Sequence, residues 1–241
     1  MGNSELDVRF AAGLRLFLPP RHRGGQVHVT HDGTSSLGHV IESLGVPLTE
    51  VGRLTAGGRP VTPRYRPAAG DVVDVSAVHR PQHIPSPRFV LDVHLGTLAR
   101  RLRLLGIDTA YANDRDDDAL IGQANTQQRV LLTKDRGLLC RRKLWLGAYV
   151  RGARPGDQLR DVLTRFAPPL SPWTRCVVCN GLLSPVCKAD VEHLILPGTR
   201  RTYREFSRCT ACGRVYWRGA HGTRLHAIVE SATRIVAASR G

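Results

Sequence analysis

The sequence contains no long hydrophobic run and no N-terminal targeting pattern. Its apolar stretches are far shorter than the roughly 18 residues that cross a bilayer. The first residues lack the basic start and apolar middle of a signal peptide. These absences argue against a membrane-spanning or secreted protein. They predict a soluble cytoplasmic protein with no membrane partner.

Cysteine is scarce, with 6 residues in a chain of 241. Four of the cysteines form two CxxC pairs, Cys176/Cys179 and Cys209/Cys212. Such pairs have the spacing of metal ligands and not that of a disulfide framework. The sequence therefore predicts a reducing compartment and a metal site.

Acidic residues are few compared with basic ones, 20 against 35, which gives a net charge of +15 and a pI near 10.7. A positive field of this size favours a polyanion, so nucleic acid is the leading class of partner. Arginine far outnumbers lysine, so an arginine-rich proteome is an alternative explanation of the charge. The length leaves room for more than one domain.

Residues 1–80 have the pattern of a small β-rich domain, followed by a proline-rich linker at 81–87. A strand pair precedes a helical segment that Ser35 or Ser36 can cap, and more short strands follow. This order is ubiquitin-like. The strands are expected at Leu6–Phe10, Gln26–Thr30, Val51–Ala56, around Val61 and at Asp71–Val75.

The N-terminal segment resembles the small sulfur-carrier β-grasp proteins through FLPPRHRGG, HVIESLGVPLTEVG and AAGDVVDVSAV. Those carriers work through a free C-terminal Gly-Gly, whereas the last strand here runs into His79-Arg80-Pro81. The carrier chemistry is therefore expected to be absent. We interpret the domain as an adaptor that docks RNA or a protein partner, and a stabilising appendage is the alternative.

Residues 88–167 alternate strands with helices, which predicts a parallel sheet with helices on both faces. The first helix places Arg100, Arg101 and Arg103 largely on its polar face. The fold is therefore expected to be α/β in this region. Strands are expected at Phe89–Leu91, Thr109–Ala112, Val130–Thr133 and Ala148–Arg151.

Aspartates follow two of these strands, and an acidic cluster lies between them. Asp92 and Asp135 end buried strands, and the cluster covers Asn113 to Asp118. Open α/β sheets keep their sites at the carboxyl ends of strands, so these carboxylates are expected to converge and hold Mg²⁺ or Mn²⁺. The alternative is that each aspartate caps a helix. Two carboxylates at buried strand ends favour the metal, because an uncompensated charge there is costly.

The two CxxC pairs are separated by 29 residues, counting from Cys179 to Cys209. This spacing predicts a tetrahedral Cys₄ zinc ribbon over residues 168–224. Four thiolates leave no open position for a substrate, so the zinc is expected to be structural. A redox dithiol is the weaker alternative, and Cys187 or His193 could replace a ligand.

Aromatic and basic residues follow the second pair. Trp217 and Arg218 are suited to stacking on unpaired bases of RNA. Packing in the small ribbon core is an equal alternative for Trp217. The last segment, 225–241, is a C-terminal tail that docks as a helix or remains mobile.

The region from about residue 88 to residue 224 is similar to the PIN-like RNase domain family first named for the C-terminus of Mut-7. The matching segments are FVLDVHLGTLARRLRLLGIDTAYA, DDDAL, RVLLTKDRGLL, CVVCNGLL and CTACGRVYWRGAH. Members with an N-terminal ubiquitin-like domain are known. The resemblance implies a PIN-like parallel sheet flanked by helices, preceded by a β-grasp domain and followed by a zinc ribbon.

The same resemblance implies a metal-dependent ribonuclease that hydrolyses RNA phosphodiester bonds by in-line attack of an activated water. Asp92 would be the first acid, and Asp135 the acid of a T-x-D motif that begins at Thr133. Four aspartates compete for the middle acid, and of these Asp117 is favoured and Asp118 is the second choice; the other two are Asp114 and Asp116. The candidates to receive the RNA backbone are Arg100, Arg101 and Arg136, and the alternative is that they form a solvated helix face.

Two other functions remain open from the sequence. A non-catalytic zinc-containing RNA-binding adaptor is favoured by the high positive charge and by the lack of a clear fourth acid. A protein-interaction module built around the β-grasp domain is the third hypothesis. Cleavage of RNA that depends on Mg²⁺ or Mn²⁺ separates the enzyme from the adaptor. For the third hypothesis, deletion of residues 1–80 is expected to abolish partner capture without changing RNA affinity.

Overall fold

The structure is a computed structural model, and it describes residues 4–217 and 222–240. The first elements are β1 (Ser4–Phe10), β2 (Gln26–His31), α1 (Leu37–Ser43), β3 (Val51–Ala56), β4 (Arg59–Val61) and β5 (Val72–Ala77). The central elements are β6 (Phe89–Leu91), α2 (Gly96–Leu104), β7 (Thr109–Tyr111), α3 (Asp117–Thr126), β8 (Val130–Thr133), α4 (Arg136–Leu139) and β9 (Gly147–Tyr149). The last elements are α5 (Pro155–Phe166), β10 (Leu183–Val186), α6 (Lys188–Val191), α7 (Pro197–Thr202), β11 (Phe206–Cys209), β12 (Val215–Trp217) and α8 (Gly222–Arg240).

The chain forms two compact units. One unit joins residues 1–79 with residues 133–149, and the other joins residues 80–132 with residues 150–241. The domain boundaries drawn from the sequence stay predictions. They did not anticipate that residues 133–149, which follow the central strands in sequence, pack with the N-terminal residues.

The N-terminal part of the first unit is a mixed five-stranded sheet with the strand order β2-β1-β5-β3-β4. Strands β1 and β5 are parallel, and the other pairs are antiparallel. The Oγ of Ser36 accepts a hydrogen bond from the His39 amide, so Ser36 is the N-cap of α1. The predicted ubiquitin-like fold is confirmed.

Gly45 ends α1 for a steric reason. Its φ is +89°, in the left-handed region that glycine adopts without strain. A Cβ at this position would lie 2.9 Å from the carbonyl oxygen of Phe17. The glycine therefore lets the chain leave the helix close to the 3₁₀ helix Ala12–Phe17.

The second unit contains the parallel strands β7, β6 and β8, with β6 in the middle. Every side chain of β6 is buried, as expected for a parallel strand covered on both faces. The helices α2 and α5 pack against each other. They bury the side chains of Leu98, Leu102, Leu159, Leu163 and Phe166. The predicted parallel sheet flanked by helices is confirmed.

The C-terminal residues of the second unit form a three-stranded antiparallel sheet and a long helix. The sheet has the order β10-β11-β12 and covers a small core of Val191, Ile195 and Phe206. Helix α8 packs on α5 and buries Ala232 and Val236. The tail therefore docks as a helix.

No helix within residues 4–217 and 222–240 combines the length and the apolar character needed to cross a bilayer.

Candidate functional site

Asp92 lies directly after the central strand β6. The backbone register pairs Leu91 with Leu132, and the amide of Asp92 donates to the Leu132 carbonyl at 3.0 Å. Its side chain is only 8 % exposed. It precedes the 3₁₀ helix Val93–Leu95 but makes no capping hydrogen bond to it. Helix capping therefore does not account for this buried carboxylate.

Thr133 and Asp135 follow Leu132 along the chain. Thr133 is 0 % exposed, and its Oγ1 accepts a hydrogen bond from the Asp135 amide at 2.9 Å. Asp135 is exposed, and its Oδ1 accepts from the amides of Gly137 at 2.7 Å and Leu138 at 3.3 Å. Asp135 is thus the N-cap of α4, as the capping alternative anticipated. The threonine of T-x-D positions the backbone of the acid.

One aspartate of the acidic cluster caps α3, and two others lie in the first turn of this helix. Asp116 is the N-cap of α3, because its Oδ1 accepts from the Ala119 amide at 2.8 Å. Asp117 and Asp118 occupy the first turn and are exposed. Neither of these two carboxylates is used as the cap of α3. Both favour this helix electrostatically through its dipole.

The four cysteines of the two CxxC pairs come together. Each offers one Sγ atom, and the four atoms all lie within 4.8 Å of one another. Cys176 Sγ is 3.7 Å from Cys212 Sγ, and Cys179 Sγ is 3.4 Å from Cys209 Sγ. Four thiolates around a tetrahedral Zn²⁺ with Zn–S bonds near 2.3 Å are about 3.8 Å apart. The cluster therefore has the dimensions of a metal site and is consistent with a zinc ribbon.

Backbone amides donate hydrogen bonds to two sulfurs of this cluster. The amide of Cys179 donates to Cys176 Sγ, and the amide of Cys212 donates to Cys209 Sγ. Burial raises the pKa of the Cys176 thiol, but hydrogen bonds from the Tyr216 hydroxyl and from backbone amides outweigh it and hold that pKa at about 6. The Tyr216 oxygen lies 2.9 Å from Cys176 Sγ. A low pKa makes the thiol a better metal ligand.

A buried arginine connects the turn between Cys176 and Cys179 to strand β7 of the parallel sheet. Arg103 is 3 % exposed, although the sequence predicted it on the polar face of α2. Its Nη1 donates to the carbonyls of Val177 at 3.2 Å and Val178 at 2.7 Å, and its Nε donates to Thr109 at 2.8 Å. The prediction that Arg103 lies on a polar, solvated face was wrong, because carbonyls of residues distant in sequence accept hydrogen bonds from its guanidinium.

Asn180 makes a second attachment beside Cys179. Its φ of +72° is left-handed, a conformation that asparagine tolerates. Its Oδ1 accepts from the Thr109 amide at 3.0 Å, and its Nδ2 donates to Asp108 Oδ1 at 2.8 Å. The same Asp108 oxygen accepts from Arg129 at 2.6 Å. Spacing and periodicity did not reveal this network, and the Asn-Gly pair after the first CxxC was the one signal for it in the sequence.

The candidate RNA-binding residues lie in different environments. Arg100 is exposed and Arg101 is half-buried on α2. The guanidinium of Arg136 donates to two backbone carbonyls. Trp217 is 42 % exposed, which leaves part of its ring accessible. Arg218 lies outside the described residues.

The cysteines are the one set of three or more His, Cys, Asp or Glu side chains within residues 4–217 and 222–240 whose ligand atoms come within 4.8 Å of one another. The acidic residues are not brought together in this way. Cys140 and Cys187 are free thiols outside the group.

Two sequence-family models match this chain, one over each of its two main parts. The sequence model described as the Mut7-C RNAse domain matches residues 87–229, which is more than half of the chain. The chain belongs to the Mut7-C RNAse domain family. The model described as Mut7-C ubiquitin matches residues 3–83. The resemblance predicted from the sequence is confirmed for both parts. No curated protein and no solved structure gives a significant match.

Proposed function

We propose that this Mut7-C family member is a divalent-metal-dependent ribonuclease. The observation that carries the proposal is the register of β6 and β8, which pairs Leu91 with Leu132. Asp92 follows one of these strands, and the T-x-D motif that begins at Thr133 follows the other. Ligand sites in open α/β sheets lie beyond the carboxyl ends of the strands. Both acids follow such strand ends in the sequence. Membership of an RNase domain family supports the same reaction class.

The donor set fits Mg²⁺ or Mn²⁺. Both ions prefer hard oxygen ligands such as carboxylates. Asp92 and Asp135 are the residues we assign to hold the ion, with Asp117 as the third acid and Asp118 as the alternative to it. When bound, such an ion supplies a water of lowered pKa and screens the charge of the phosphate.

The side chains of the site have separate roles in this proposal. The nearly buried Asp92 provides a fixed negative charge at the end of the sheet. Thr133 holds the backbone amide of Asp135 and thereby orients that residue. Arg100 and Arg101 bind the RNA backbone through charge. Trp217, together with Arg218, stacks on unpaired bases.

We also propose that the cysteine cluster holds Zn²⁺ with a structural role. Four thiols of the right spacing leave no position for a substrate. Zinc would fix the turns that Arg103 and Asn180 attach to β7. Metal analysis of the purified protein tests this directly, with one zinc per chain as the expected result.

The test of the ribonuclease is cleavage of RNA by the purified full chain with Mn²⁺ or Mg²⁺, before and after EDTA. Asp135→Asn is the informative variant, because asparagine caps helices as well as aspartate does. It removes the charge but keeps α4. We expect Asp135→Asn to be folded and inactive, and Asp190→Asn, an exposed acid elsewhere, to be fully active. Equal cleavage by wild type and Asp135→Asn would show that a contaminant is responsible.

A non-catalytic RNA-binding adaptor is the second candidate. It is favoured by the capping role of Asp135, which gives that carboxylate a structural use. The net charge of +15 suits this function equally well. Tight RNA binding with no cleavage under any divalent metal would decide for the adaptor. A protein partner of the ubiquitin-like domain is compatible with either function.

A further inference from the structure

Residues 133–149 belong to the same compact unit as the β-grasp residues. This segment carries Thr133 and Asp135, two of the residues proposed for hydrolysis. Its position therefore depends on contacts with the N-terminal domain. Two such contacts lie at its two ends.

Arg136 makes the contact at the start of the segment. Its Nη1 donates to the Phe17 carbonyl and its Nη2 to the Leu16 carbonyl, each at 2.9 Å. The guanidinium also lies over the Phe17 ring, 5.3 Å from the ring centroid. A planar guanidinium that donates to two acceptors is held in a defined orientation. Because Arg136 is the first residue of α4, these bonds hold the helix that Asp135 caps.

Glu50 makes the contact at the other end. It is 0 % exposed, and its Oε1 accepts from the Tyr149 amide at 2.8 Å. Its own carbonyl accepts from the Val78 amide at 3.0 Å. The Tyr149 ring packs edge-on against Phe17, with ring centroids 5.0 Å apart. A carboxylate buried this deeply needs hydrogen-bond donors, so the link to β9 is a defined part of the core.

We propose that the β-grasp domain positions the segment that carries Thr133 and Asp135, with Arg136 and Glu50 as the positioning residues. The effect on catalysis rests on the ribonuclease function proposed above, whereas the effect on local order does not. Glu50 is not assigned to touch RNA or metal. Arg136 is a candidate RNA contact from the sequence, but its guanidinium donates to the Leu16 and Phe17 carbonyls, and we assign it to positioning instead. The N-terminal domain is then a working part of the nuclease, in addition to any partner that it docks.

The experiment compares Arg136→Ala and Glu50→Ala with wild type in the full chain. Arg53→Ala is the matched control, since Arg53 is an exposed arginine on β3. Hydrogen exchange is measured at the amides of Gly137 and Tyr149, which bond to Asp135 and Glu50. RNA cleavage is measured on the same samples at saturating Mn²⁺.

We expect exchange at Gly137 to be about tenfold faster in Arg136→Ala, and exchange at Tyr149 to be faster by a similar factor in Glu50→Ala. Both variants should lower kcat by about tenfold with KM for RNA unchanged, because a displaced acid affects the reaction and not the binding of substrate. Glu50→Gln retains an oxygen acceptor and should restore both readouts. Arg53→Ala should change neither.

Unchanged exchange in both alanine variants would overturn the proposal, and so would faster exchange with an unchanged kcat. Phe17→Leu removes the ring contacts to Arg136 and Tyr149 but keeps an apolar side chain, so it replaces an alanine variant that does not fold. If wild type does not cleave RNA, the proposed ribonuclease fails, and the exchange rates alone then test whether the β-grasp domain positions the segment.

Discussion

Replacing Arg103 by methionine is the sharpest test of how the cysteine cluster is attached. The side chain is 3 % exposed and donates three hydrogen bonds to backbone carbonyls. Methionine keeps most of the apolar stem and removes every donor. Hydrogen bonds from charged groups contribute roughly 1.5–3 kcal/mol each and are not additive, and a buried polar group left without its partner costs about 1–3 kcal/mol. Because three such bonds are lost together, we expect Arg103→Met to lower the free energy of unfolding by about 3–5 kcal/mol.

The same variant should bind zinc more weakly. Groups that hold metal ligands in place typically change metal affinity by about 10- to 100-fold when removed, and Arg103 holds the carbonyls of Val177 and Val178 between two of the cysteines. Urea unfolding and competition with a chromophoric chelator measure the two effects. Arg100→Met is the control, because Arg100 is exposed on the same helix. A stability within about 1 kcal/mol of wild type, together with unchanged zinc affinity, would refute the structural role of Arg103.

Three further predictions concern the same unit. Gly181→Ala should weaken zinc binding by more than about tenfold in a chelator titration, because its Cβ would lie 2.9 Å from Cys209 Sγ. Gly198→Ala is the control and should leave the zinc affinity unchanged, because a Cβ there has no neighbour within 4 Å. Burial raises the pKa of Asp108, but hydrogen bonds from Arg129 and Asn180 outweigh it and lower that pKa below the ordinary value of an aspartate. Asp108→Asn should therefore cost about 1–2 kcal/mol in urea unfolding at pH 7, and the difference from wild type should vanish as the pH falls through the lowered pKa. Trp217→Ala should weaken RNA binding by about 1–3 kcal/mol in a fluorescence titration while the melting temperature stays within a few degrees, since this side chain is 42 % exposed.

The sequence predicts the elements of this fold well where periodicity and flanking residues agree. Strands Phe89–Leu91 and Val130–Thr133 have the predicted bounds. Each is a short apolar run that ends at a polar residue, so helical periodicity does not compete with the strand pattern. The cysteine cluster was equally predictable, because CxxC spacing constrains the thiols directly.

Other features depend on contacts between residues far apart in sequence. Helical periodicity assigned Arg103 to a polar face, but it carries no information on the carbonyls at Val177 and Val178 that accept its hydrogen bonds. Arg136 likewise reads as a surface charge until its acceptors at Leu16 and Phe17 are known. Long-range pairing of a charge with backbone groups leaves no local pattern. The acidic residues of the proposed site stay predictions.

The shared packing of residues 133–149 with the N-terminal domain affects how the protein can be dissected. Truncation before the linker would leave Tyr149 without its contacts to Phe17 and Glu50, and Arg136 without its acceptors. A shortened protein that loses partner capture or nuclease activity would then be reporting a disordered fragment and not a missing recognition surface. Surface substitutions in the intact polypeptide are the sound way to separate the contributions of the two domains.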